Sequence, residues 1–219
     1  MQTSADALQA TGEVFVQKSQ LGGGSPMIRG FAANAVLIVV DGVRMNNAIF
    51  RSGNLQNVIL IDPFLIDNAE VVFGPGSVIY GSDALGGVMD FHTRQPVFAY
   101  DSTLQVRGEA FLRYSSANRE RTGHVHFGLG WKRFASLTSL TFSDFDDLRA
   151  GSRHPSRYPD FGKRPWYQDR LDGVDTVVFQ DDQELQVRSG YRQWNLAQKF
   201  RYMPTNQWDI EYALWLASG

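Results

Sequence analysis

Hydrophobic positions along this chain fall into two textures. Up to about residue 98 they come as short clusters: Val14-Phe15-Val16, the run Val36–Val40, residues 70–73 and residues 88–93. Glycine turns stop two of them, Asp41-Gly42 after the second and Gly74-Pro75-Gly76 after the third. Apolar runs of this length bounded by Gly, Pro and Asp predict short strands in a compact, loop-rich domain. Residues 5–10 predict a helical turn ended by Gly12, and residues 58–66, broken by Pro63, predict a helical turn leading into the strand at Glu70. The glycine-dense piece 81–87 and the Asn-rich piece 44–57 predict loops.

From residue 103 the texture becomes long alternating strands. In 103–114 one parity is Leu104, Val106, Gly108, Ala110, Leu112 and Tyr114, and the other is polar except for Phe111. Residues 123–131 set Val125, Phe127, Leu129 and Trp131 against His124, His126, Gly128 and Gly130. Residues 134–142 alternate weakly and leave their faces open. Residues 191–202 set Trp194, Leu196, Phe200 and Tyr202 against Gln193, Asn195, Lys199 and Arg201, with Gln198 interrupting the apolar side. Residues 208–216 repeat the alternation. A soluble sandwich also has a period of two. Two features favour a membrane barrel. Tyr114, Trp131, Tyr202 and Trp208 stand at the strand ends of the apolar parity, where an interfacial girdle belongs. The connections at 131–134 and 203–207 are short while 144–190 is long, as in a barrel with turns on one side and loops on the other.

Composition narrows the function. The 219 residues carry a net charge of −2, which gives no basic footprint for nucleic acid. With no cysteine, a disulfide framework and thiolate zinc sites are excluded. No apolar run approaches the ~18–20 residues of a membrane helix, a limit that does not bear on barrel strands. Gly76 and Gly81-Ser82 have part of a phosphate loop's spacing, but Ser82 stands where the lysine should be. Nucleophile-elbow and zinc-protease motifs are missing too, so no enzyme is expected and no intrinsic cofactor. Asp144, Asp146 and Asp147 lack the spacing of a calcium loop and read as a solvated loop mouth. The first residues have neither the basic nor the apolar region of an export signal, and the last stop mid-pattern. The chain is therefore expected to be incomplete at both ends.

Five pieces in order, Ile28-Arg29-Gly30, residues 37–43, Glu70-Val71 ahead of Gly74-Pro75-Gly76-Ser77, Tyr80-Gly81 and Gly86-Gly87-Val88, resemble the plug domain of TonB-dependent outer-membrane receptors. The wording around residues 22–34 and 43–57 is most similar to the haem and haemoglobin receptor group. The resemblance implies a mixed fold: a small α+β plug over 1–98 and, over 99–219, the first five or so antiparallel strands of a transmembrane β-barrel, incomplete, with an external loop at 144–190. It implies TonB-dependent uptake of haem or haemoglobin iron, or of a ferric siderophore or cobalamin, with haem as transported ligand. The implied partners are the TonB complex, whose contact segment would lie upstream, a haem-carrying protein and outer-membrane lipid. A soluble β-rich binding protein is the alternative of another class.

Candidate site residues follow. The resemblance implies that Arg29 locks plug to wall by pairing with barrel glutamates; a second arginine that the family often has before Gly-Pro is Phe73 here. Asn46, Asn47, Phe50 and Arg51 lie in a loop that in the family faces ligand, although Asn-rich loops are also plain solvated turns. His124 and His126 share one strand face, assigned by parity to the lumen, where they are either haem-iron ligands or polar lining. His154 stands in the long loop among Tyr158, Phe161, Trp166 and Tyr167, an aromatic setting suited to a flat macrocycle.

Overall fold

A computed structural model describes residues 4–10, 12, 14–17, 24–32, 35–45, 61–81, 84–101, 103–153 and 156–219. The N-terminal part begins with α1 (Ser4–Ala10), followed by β1 (Phe15–Gln17), β2 (Ser25–Ile28), β3 (Phe31–Ala32), β4 (Val36–Val40), β5 (Val43–Arg44) and β6 (Ile66–Phe73). A single-turn helix, α2 (Ser77–Tyr80), then precedes β7 (Gly87–Thr93). β1, β2 and β3 form one small antiparallel sheet, and a second sheet has the order β5-β4-β7-β6. β4 runs parallel to β7, from Val36 opposite Gly87 to Val40 opposite Phe91. Buried along its whole length, β4 is continuously apolar instead of alternating, as a strand covered on both faces must be. One face packs Val36, Ile38 and Val40 with Leu8, Val16, Ile28, Met89 and Phe91. The other packs Leu37 and Val39 with Ala84, Val88 and Tyr80. The Asp41-Gly42 turn closes the β4–β5 hairpin with positive φ at both residues, 47° and 79°, the geometry Asp-Gly favours. At Gly86 a Cβ would fall 2.3 Å from that of Phe31, so only glycine lets the two sheets approach there.

The C-terminal part is a wall of five strands: β8 (Gln105–Ser115), β9 (Glu120–Gly130), β10 (Phe134–Phe145), β15 (Tyr191–Thr205) and β16 (Trp208–Ser218). They form one antiparallel sheet in the order β16-β15-β10-β9-β8. β9, β10, β15 and β16 each extend two or three residues beyond their apolar alternation at one end, whereas β8 starts two residues later than expected, at Gln105. Between β10 and β15 the residues expected as an open loop carry two strand pairs: β11 (Leu148–Arg149) with β14 (Leu185–Gln186), and the hairpin β12 (Trp166–Leu171) with β13 (Val174–Phe179). β12 and β13 lie mostly exposed, so no core-facing stripe marked them in the sequence. Likewise β6 starts at Ile66, four residues before the expected strand at Glu70, because the turn that precedes it ends at Leu65.

The wall is inside out relative to a soluble sheet. On β9 the buried parity is Glu120, Thr122, His124 and His126, while Val125 and Phe127 are exposed. The register carries this across the sheet. Ala110, Val125, Leu140, Leu196 and Leu216 form one outward row, and Leu112, Gly123, Phe142, Trp194 and Ser218 another. It also fixes the faces of β10: Phe134, Leu140 and Phe142 point outward, Ser139, Thr141 and Ser143 inward. Gln198, the polar break on the outward side, accepts from the Thr138 hydroxyl at 2.7 Å and donates to Ser136 Oγ at 3.1 Å, so its amide is satisfied sideways within the sheet. At the end of the band near the short turns, Trp131, Phe134, Phe200 and Tyr212 follow one another with centroid separations of 5.6, 6.0 and 6.3 Å. At the opposite end Tyr114, Arg121, Asp144 and Arg192 fall in one outward row. From Phe134 to Phe142 the strand covers about 27 Å, which at a ~40° tilt rises about 21 Å, most of the ~25 Å of an outer-membrane apolar band.

Candidate functional site

The N-terminal sheets sit against the buried, polar face of the wall, and the chemistry of the molecule concentrates at that seam. Lys199 on β15 is 0% exposed. Its ammonium donates to Asp41 Oδ2 at 2.8 Å and lies 5.7 Å from the Trp215 ring centroid on β16. Thr93 donates its backbone N–H to Asp41 Oδ1 at 2.8 Å and its hydroxyl to Oδ2 at 2.6 Å. The residue that turns the β4–β5 hairpin thus also receives a buried cation from the wall. An enclosed ammonium without such a partner would be strongly destabilising.

A second contact is a chain of five side chains. Arg94 Nη1, just past β7, donates to His126 Nε2 at 3.0 Å. His126 Nδ1 and His124 Nε2 are 3.1 Å apart, and His124 Nδ1 is 2.7 Å from Thr141 Oγ1. The Thr141 hydroxyl donates to Asp62 Oδ2 at 2.6 Å. The directions are forced, because a guanidinium only donates and an ionised carboxylate only accepts. His126 must accept at Nε2 and donate from Nδ1; His124 must then accept at Nε2 and donate from Nδ1. Both rings are therefore neutral Nδ1–H tautomers. Asp62 is held by the Phe64 backbone N–H at 3.0 Å as well. Burial still pushes its carboxyl above the usual aspartate value, and the bonds from Thr141 and Phe64 only partly offset this.

Apolar contacts flank these polar ones. Phe111, the one apolar residue on the inward parity of β8, meets Phe64 edge-on at 4.7 Å. Arg113 lies over the Phe64 ring, 5.1 Å from its centroid, and is paired with the fully buried Glu120. Leu65 packs on Leu137 and Ala197 of the wall. The connection between the two parts runs along the end of β9, where Ala99 N–H donates to Trp131 O at 3.1 Å.

Of the residues singled out from sequence, His124 and His126 do face inward, buried, with all four ring nitrogens engaged in this seam. Arg29 is exposed, in a left-handed conformation with φ 48°, its guanidinium 5.1 Å from the ring centroid of Phe73. Asn46, Asn47, Phe50, Arg51 and His154 lie outside the described residues. Asp41, Asp62, Arg94, Thr141 and Lys199 were not foreseen. A lysine on the inward parity opposite an Asp-Gly turn is a pairing that only the tertiary register reveals. Among the described residues no helix is long and apolar enough to cross a membrane, and no three His, Cys, Asp or Glu side chains converge as metal ligands.

An outward apolar band over a buried polar face, filled by a separate small domain, defines an outer-membrane barrel wall with an inserted plug. The family model described as TonB-dependent Receptor Plug Domain matches residues 1–88. A hemin receptor of Yersinia pestis is 36% identical over 139 residues, 63% of this chain and 19% of that protein. The vitamin B12 transporter BtuB of Vibrio vulnificus is 34% identical over 121 residues, 55% of this chain and 17% of that protein. In fold, the chain is similar over 97% of its length to the copper transporter OprC, of which it covers 28%, with a TM-score of 0.71 at 19% identity. It is similar over 93% to the FrpB iron transporter of Neisseria meningitidis, of which it covers 27%, with a TM-score of 0.65 at 17% identity. Residues 1–88 thus match the plug domain of TonB-dependent receptors, and the whole chain shares the fold of a plug and the barrel strands that follow it in the transporters named. It spans under a fifth of the length of the two curated relatives quoted.

Proposed function

We propose that the protein carrying this chain imports haem, or iron taken from haemoglobin, across the outer membrane with energy delivered through the TonB complex. The observation behind the transport reading is the seam itself: a self-contained plug held in a membrane wall by a few buried side-chain bonds, an arrangement that can be released. The haem reading rests on the similarity to hemin receptors, 36% over 139 residues and 38% over 107. Ligand would meet the loop carrying Asn46, Asn47, Phe50 and Arg51 and the external loop carrying His154. His124 and His126, with every ring nitrogen engaged in the seam, act as polar lining of the wall rather than as ligands to iron. Arg29 would pair with barrel glutamates outside this chain. The receptor-deleted strain, starved of iron, tests the reading: the full-length receptor should restore growth on haem, and only in cells with TonB. Restoration by a ferric siderophore or a response to cobalamin, with none on haem, would move the ligand to the second reading, which the similarity to the BtuB transporters supports.

A further inference from the structure

We propose that the five-residue chain Arg94–His126–His124–Thr141–Asp62 is a proton-operated latch, closed only while both imidazoles are neutral and opened by acid. The inference rests on reading the N-terminal domain as a plug that leaves its seat. Its basis is the forced direction of every bond in the chain. A second proton on His126 would sit on Nε2 and point at the Arg94 guanidinium, donor against donor. A second proton on His124 would sit on Nε2 and point at the N–H of His126 Nδ1. Either event breaks a link, and the first also sets two cations about 3 Å apart.

The surroundings supply no free carboxylate in place of the lost bond; the one buried hydroxyl without a partner beside the pair among the described residues is that of Ser139, a neutral acceptor opposite His126. From β8, Phe111 stands opposite His124 and Glu109 opposite His126. The Glu109 carboxylate, more than half exposed and 3.7 Å from Arg94, offsets only part of that cation's effect on the rings. From β10, Thr141 stands opposite His124 and Ser139 opposite His126. From the plug come Phe64, against the His124 ring, and Asp62, which reaches the pair only through Thr141. Asp67 and Arg107 line the crevice beside His126, one of each sign. Protonation is thus met by cations and donors along the chain and stabilised by no free carboxylate within it.

The sign follows from linkage. The latched state holds neutral rings, whereas rings freed into water take up a proton near pH ~6.5, so acid favours release. Below that pH each unit weakens the latch by about tenfold per histidine that must be neutral.

The chain has no cysteine, so Leu65→Cys introduces a reporter at a position covered by Leu137 and Ala197 of the wall. In the full-length receptor in lipid nanodiscs, without ligand or TonB, maleimide labelling of that cysteine should quicken by about tenfold or more between pH 7.5 and pH 5.5, after correction for thiol reactivity against an exposed cysteine. In the His124→Gln/His126→Gln background, which keeps polar groups that do not titrate, the rate should be flat. A flat rate in both, or the same rise in both, overturns the latch. Imidazole nitrogen spectra of the unmutated receptor provide a test that does not depend on the variants folding: Nδ1–H tautomers at both positions at pH 7.5 support it, and an Nε2–H tautomer at either sinks it. Uptake on haem at constant pH is a separate readout, so failure here leaves the import reading standing.

Discussion

The ammonium of Lys199, wholly enclosed, lies 2.8 Å from Oδ2 of Asp41, a residue 158 positions earlier that shapes the tip of a plug hairpin. Two chemically different jobs converge on one carboxylate, since Asp41 adopts the positive φ the turn needs and also neutralises a charge on the wall.

That pairing predicts an asymmetric mutational cost. Asp41→Ala leaves a buried cation unpaired and should destabilise the plug's seat by about 3–5 kcal/mol. Lys199→Met leaves Asp41 with its two bonds from Thr93 and should cost clearly less, and the double variant should recover much of the loss. Urea titration of plug release in the full-length receptor checks this. Equal losses for the two single variants would show that the pair does not govern the seat.

Asp62 predicts a pH dependence of opposite sense to the histidine latch. Its carboxyl is pushed up by burial, so its contribution is fully present below the ordinary aspartate value of 3.8 and is lost as pH rises through the raised value. Asp62→Asn keeps an acceptor for the Thr141 hydroxyl and removes that titration. Plug stability of the variant should therefore lack the fall seen above pH 3.8 in the parent, and should match or exceed it at neutral pH. Thermal melts across the acid range are the measurement, and a parallel pair of profiles would contradict the assignment.

Depth in the outward band predicts a graded penalty. Phe127 shares its row with Gly108, Thr138, Gln198 and Leu214, midway between the Phe134 and Phe142 rows. Phe127→Arg should cost about 2–4 kcal/mol of folding into lipid, and Trp131→Arg, at the aromatic end, about 0–1 kcal/mol for the charge itself. Refolding into liposomes from denaturant separates the two. A soluble fold would lose little at either exposed site.

Gly130 predicts a steric cost where plug joins barrel. A Cβ there would fall 2.4 Å from Val97 O and 3.2 Å from Ala99 N, both backbone atoms of the connecting segment. Gly130→Ala should destabilise by roughly 1–3 kcal/mol, read by the same urea titration, while Gly151→Ala, with open space around it, should be near neutral.

Much of the architecture was legible in the sequence because membrane strands and short glycine-bounded strands each leave a local periodic trace. Phe111 is instructive. It broke the alternation of its strand, and the break marks the place where Phe64 of the plug presses on the wall. Gln198 broke it too, and lateral partners on β10 absorb the polar group. The parity of His124 and His126 was readable, but their bonding was not, because it depends on Arg94 and Asp62 arriving from a different sheet. Lys199 and Asp41 were invisible as a pair for the same reason. The strand pairs inside 144–190 left no alternating stripe because they have almost no core to face.

The plug's sheets and the wall are separate sheets: among the described residues no strand of one pairs with a strand of the other. Withdrawal therefore need not unzip a main-chain ladder, and the withdrawn piece can keep its own fold. Return is correspondingly simple, because no strand has to search for its register. On the proposed import reading, the seat is re-made each time by side chains alone.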